Sequence, residues 1–162
     1  MAVSVIDGTL EEASLKTARM NLRIYNHLKF RLADGSEKTV AKSVVDAEVA
    51  AMLLPGTSGR FYLYTAIDHR GIHGVRTADG KSVFKYPKNN ETAMIVVAGM
   101  GLLLIMLGLS MGGVSIWGVL CLVLGIPAYF LYRSTRGSAE RQYQGDTAYR
   151  VPPGGAAEPA GA

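Results

Sequence analysis

The sequence predicts a two-part chain: a small α+β, mostly β module of five short antiparallel strands and one short helix, barrel-like, followed by a two-helix transmembrane hairpin. Two observations carry this. Residues 20–32 alternate apolar and polar side chains, and residues 93–132 form an uncharged run of forty. A third, a series of glycine- and proline-containing turns between short apolar segments, sets the strand limits.

At the N-terminus, residues 1–19 read as a separate segment. Thr9-Leu10-Glu11-Glu12 has the spacing of a capping box and predicts a short helix over 10–18. In the next stretch Met20, Leu22, Ile24, Leu28, Phe30 and Leu32 share one face, and Asn21, Arg23, Tyr25, His27, Lys29 and Arg31 share the other. Period two over this length means a strand with one buried face and one wet, basic face. Asp34-Gly35 turns the chain into a second strand near 37–44.

Asp46 is placed to cap a short helix in which Val49, Met52 and Leu53 lie together, and Pro55-Gly56 ends it. Three more strands follow at about 60–67, 71–77 and 81–86, so the module spans roughly 20–90. Short turn-linked antiparallel strands suit a curled sheet or partly closed barrel with the helix plugging one end.

A single membrane-crossing helix needs about twenty apolar residues, so the uncharged run is long enough for two. The break falls at Ser110-Met111-Gly112-Gly113-Val114-Ser115, which gives helices over 93–110 and 115–133. Gly101 and Gly108 on the first, and Gly118 and Gly125 on the second, are each seven apart and form smooth faces for close helix packing. Pro127 removes one helical hydrogen bond and is expected to bend the second helix.

Lys81, Lys85 and Lys88 precede the hairpin, Arg133, Arg136 and Arg141 follow it, and the turn is uncharged, so the positive-inside bias puts both termini in the cytosol. Tyr129, Tyr132 and Arg133 read as anchors at the inner interface and Trp117 at the outer one. The first twenty residues lack the apolar stretch of a secretory signal. The plan resembles many small bacterial inner-membrane proteins, and the expected location is that membrane. Residues 134–162 form a cytosolic tail, disordered from about 151, where proline, glycine and alanine dominate.

Several function classes are disfavoured. The formal charge is +4, but basic residues are interleaved with acids and no basic block appears, so nucleic acid is not an expected partner. No phosphate-binding glycine loop and no cofactor motif occurs. The only cysteine, Cys121, lies in the apolar run. His69 and His73, in Asp68-His69-Arg70-Gly71-Ile72-His73, are the candidate metal ligands, short of the three converging donors zinc needs. Tyr62 and Tyr64 alternate with Phe61 and Leu63 and fall on the sheet face opposite them.

With no catalytic constellation to name, the expectation is a non-enzymatic, membrane-tethered interaction or accessory protein. Its β-module would dock a protein partner beside the lipid bilayer through the basic row Arg23, His27, Lys29 and Arg31 or through an edge strand. The alternative is an oligomeric channel or transporter component, self-associating through the hairpin's glycine faces.

Overall fold

The computed structural model describes residues 2–66 and 69–147. They divide into two compact units, one comprising Met1–Pro87 with the chain from Ser138 onward, the other Lys88–Gly137. The elements are β1 (Ala2–Arg19), β2 (Leu22–Leu32), β3 (Glu37–Asp46), α1 (Ala47–Ala50), β4 (Ser58–Thr65), β5 (Arg70–Thr77), β6 (Ser82–Phe84), α2 (Asn89–Ser110) and α3 (Ile116–Gly145).

The helix expected over 10–18 is instead the second half of β1. Its strand pairing explains why. Ala2 to Thr9 pair with Thr65 to Ser58 of β4, while Gly8 to Arg19 pair with Leu32 to Leu22 of β2. A capping box satisfies two backbone donors; the ladder to β2 pairs most of residues 10–19, and the strand as a whole buries Ile6 and Leu10 on one face.

β1 pairs antiparallel with β2 and β4, β2 with β3, and β4 with β5, which carries β6 on its other side. One parallel bridge, Ser43 to Arg70, joins β3 to β5 and closes the ring. The unit is thus a mixed five-stranded barrel, not an all-antiparallel one, because the strand missed at the N-terminus sits at its centre and leaves β3 and β5 to meet. At that seam Gly71 is required: a Cβ there would overlap the Val44 carbonyl.

The core holds Ile6, Leu10, Leu28, Phe30, Val45, Phe61, Ile72 and Val75, with Val49 of α1 also fully buried. Asp46 caps α1 by accepting a 3.0 Å hydrogen bond from the Glu48 N–H, as its position predicts.

Regular pairing lapses at one level of three adjacent strands. Lys16 is skipped between Leu15–Tyr25 and Thr17–Ile24, and Asn26 and Lys42 are skipped between Tyr25–Ser43 and His27–Ala41. Lys42 takes φ 50° there, a left-handed conformation that costs an L-residue about 1–2 kcal/mol. The interruption exchanges the faces of β2. Tyr25, expected on the wet face, is buried like Leu28 and Phe30.

In the second unit, α2 and α3 form a hairpin joined by a turn in which Gly112 has φ 84°. Both are long and apolar enough to cross a membrane, and only 6% and 11% of their most apolar stretches is buried. A Cβ on Gly101 would stand 2.8 Å from the Gly118 carbonyl oxygen, and one on Gly118 would stand 2.7 Å from that of Gly101. A Cβ on Gly108 would stand 2.8 Å from the Ser115 nitrogen, and one on Gly125 would stand 3.0 Å from the Ala98 nitrogen and 3.1 Å from the Met94 carbonyl oxygen. Backbone against backbone is the packing that small residues permit. Glu91 and Arg136 pair at 3.0 Å near the open end.

The second helix continues three turns past its expected end near 133. The tail's expected disorder from about 151 lies outside the described residues.

Candidate functional site

Two surfaces of the barrel unit gather chemistry-bearing side chains. The first is the outer face of β4, β5 and β6, where Tyr62, Tyr64 and His73 project away from the core. Tyr62 and Tyr64 are nevertheless fully buried, because the last turns of α3 and the chain after β6 cover them. Tyr143 packs edge-on against Tyr62 at 4.8 Å between ring centroids, and Tyr86 lies 4.8 Å from Tyr64.

Charged groups fasten this cover. Arg60 grips Asp7 through a two-pronged pair at 2.6 Å and reaches Asp146 at 2.9 Å. Tyr62 donates its hydroxyl to Asp146 at 3.1 Å, and burial pushes its pKa up to about 12. Arg76 donates to the main-chain carbonyls of Tyr143 and Asp146. These are the carbonyls a helix C-terminus leaves unpaired.

His73 sits in the middle of this cluster, with Phe84 at 5.6 Å, Tyr64 at 6.0 Å, Tyr62 at 6.2 Å and Tyr86 at 6.3 Å. It is the extra residue of a bulge in β5, between Ile72 and Gly74. Neither ring nitrogen has a hydrogen-bond partner of normal geometry. Burial depresses its pKa to about 4, against a smaller opposing effect of the Ala139 backbone.

His69 instead meets the Tyr64 ring edge-on at 5.5 Å. Among the described residues no three His, Cys, Asp or Glu side chains converge as a metal site. Asp68, the carboxylate that precedes His69 in the sequence motif, lies outside the described residues.

The second surface is a cleft of about 450 Å³ at the level where the three strands lose their pairing. Lys16, Lys42, His69 and Arg70 line it with Tyr25 and Asn26, and among the described residues no carboxylate lines it. Burial raises the Tyr25 hydroxyl's pKa. Ser43, whose sheet neighbours are Tyr25 and Arg70, is fully buried with its hydroxyl unpartnered. A further cavity of about 410 Å³ lies between the segment after α1 and the β5–β6 turn, where Asp79 and Lys81 pair at 2.9 Å.

The basic row expected as a docking face has a different character. His27 pairs with Glu12 at 2.9 Å, Lys29 with Glu37 at 2.9 Å, and Arg31 with Glu11. Arg23 donates to the carbonyls of Met20 and Leu22. The acids come from β1 and β3, so the row is a lattice of mixed charge. The sequence hides this, because the pattern at 10–18 predicts a helix and not a strand beside β2. It also hides the cleft, since Lys16, Lys42 and Arg70 are far apart in sequence and meet only through barrel closure.

Of the expected membrane anchors, Tyr129 and Arg133 contact each other, hydroxyl to guanidinium, at 2.6 Å. Trp117 is exposed and Tyr132 is buried. Comparison with family models, curated proteins and solved structures gives no match.

Proposed function

We propose that the chain is a membrane-anchored, non-enzymatic binding module, with α2 and α3 crossing a bilayer as a hairpin and the barrel held in the cytosol beside it. The observation that carries the reading is the exposure of apolar side chains all around the hairpin. Leu103, Met106, Trp117, Val123 and Phe130 are each at least 60% exposed. In water so continuous an apolar surface drives aggregation; in hydrocarbon it is the required exterior.

The flanking charges support the orientation. Lys81, Lys85 and Lys88 precede α2, Arg133 and Arg136 close the apolar part of α3, and the turn carries none. Tyr129 and Arg133 make an aromatic and basic pair suited to the headgroup region.

Small barrels host many unrelated functions, so the barrel's role is argued from its surfaces. The aromatic face is occupied by the chain's own helix end, and the β2 row is neutralised. The cleft, which among the described residues no carboxylate lines, is therefore the feature best suited to receive a partner or ligand. An oligomeric pore is the second reading, but the four glycines intended for its assembly pack within the hairpin itself.

The test is extraction of membranes from expressing cells with alkaline carbonate, followed by native mass spectrometry in nanodiscs. Retention in the pellet as a monomer agrees with the reading. Release into the supernatant, or a fixed homo-oligomer, contradicts it.

A further inference from the structure

We infer that the cleft at the barrel seam is a binding site for a phosphate-bearing anion, held by Lys16, Lys42 and Arg70 with His69 beside them. The inference deepens the reading of the barrel as a binding module and does not depend on where the hairpin resides.

Elsewhere on the barrel Lys29, Arg31, Arg60, Lys81 and Lys85 each face a carboxylate, and Arg23 and Arg76 donate to main-chain carbonyls. Around the cleft the pattern reverses. Among the described residues Lys16, Lys42 and Arg70 have no acidic partner, and they come from three different strands to line one concavity. Like charges so gathered repel one another, and an anion of more than one charge is the complement that relieves them.

Backbone geometry points the same way. Lys16 and Lys42 are both residues skipped by the strand pairing, and Lys42 is held in the left-handed region. Bulges re-aim side chains, and a strained non-glycine position is the kind of feature that accompanies a site. Arg70 adds a planar fork matched to phosphate oxygens, whereas the two lysines act as point charges. At about 450 Å³ the cleft exceeds a bare phosphate and leaves room for an organic group beside Tyr25. Such a phosphate belongs either to a free phosphorylated small molecule or to a lipid headgroup; the recognising chemistry is the same.

The experiment is calorimetric titration of the full chain, in nanodiscs of phosphatidylcholine alone and in detergent, with pyrophosphate as the probe. Saturable binding that weakens with added salt is expected, and a loss of about tenfold or more in Arg70→Gln and in Lys42→Asn. Asparagine suits the left-handed backbone, so that variant keeps the fold. Lys38→Gln, an exposed lysine of β3 outside the cleft, binds as the parent does. Nanodiscs containing phosphatidylinositol phosphate separate the sources: competition with pyrophosphate assigns a headgroup, and undiminished binding assigns a free compound. No binding at millimolar probe, or equal affinity in parent and both cleft variants, overturns the inference. Because the detergent arm needs no bilayer, its failure is distinct from failure of the anchor.

Discussion

The Arg76 guanidinium carbon lies 4.4 Å from the centroid of the Tyr143 ring, and the same side chain donates to the Tyr143 carbonyl at 2.6 Å. One buried arginine thus holds the end of α3 to β5 by both a cation–π contact and a helix-terminating hydrogen bond. Arg76→Ala should destabilise the barrel unit by about 3 kcal/mol, because it removes charged hydrogen bonds from a buried site. Hydrogen exchange in 138–145 should accelerate with it. Arg76→Lys keeps the charge but not the fork and should recover only part of the loss. Unchanged exchange in Arg76→Ala would refute this role.

His73 makes stability depend on pH. Its folded pKa, about 4, lies below the ordinary value of 6.5, so the unfolded chain binds the proton more readily. Stability from this residue is therefore complete above about pH 6.5 and is lost as the pH falls toward 4, by about 3 kcal/mol in all. Denaturant midpoints measured across that range should fall in the parent and stay flatter in His73→Phe. A parent and variant with parallel pH profiles would show that His73 is not the source.

The hairpin's contacts can be tested with alanine alone. Gly101→Ala and Gly118→Ala each drive a methyl into the facing carbonyl and should loosen the hairpin by about 1–3 kcal/mol. Gly99→Ala meets nothing within 4 Å and should be neutral or slightly favourable. Steric-trap or denaturing-detergent titration reads the difference; equal effects at all three positions would contradict the close approach.

Lys42 provides a backbone test independent of ligand. Glycine in a strand ordinarily costs about 0.5–1 kcal/mol, which is the effect expected for Lys38→Gly. At Lys42, with φ 50°, relief of the left-handed strain offsets that cost, so Lys42→Gly should leave the melting temperature unchanged or raise it. A loss equal to that of Lys38→Gly would deny the strain.

The legible parts of the sequence were those whose signal is local. Asp34-Gly35, Pro55-Gly56, the Asp46 cap and the alternation around Leu28 and Phe30 each placed an element, and forty uncharged residues announced the hairpin. What stayed hidden depends on partners distant in the chain. Thr9 to Glu12 carry a helix-start pattern, yet pairing with β2 converts them to β1, and only then do Glu11 and Glu12 fall beside His27, Lys29 and Arg31. Tyr25 followed the alternation as written, but skipped residues in β1 and β3 turned it inward. Tyr62 and Tyr64 fall on the face opposite Phe61 and Leu63, as the alternation predicts, but what buries them is Tyr143 and Tyr86, distant in the chain, and not the barrel core.

The central claim is that α2 and α3 cross a bilayer with the barrel and the connecting turn on opposite sides. Replacing Cys121 with serine and placing single cysteines at Val114 and at Lys38 allows an impermeant maleimide to report each side in intact spheroplasts. The account predicts labelling of the Val114 position before lysis and of the Lys38 position only after it. Labelling of both before lysis, or of neither until lysis, would contradict it.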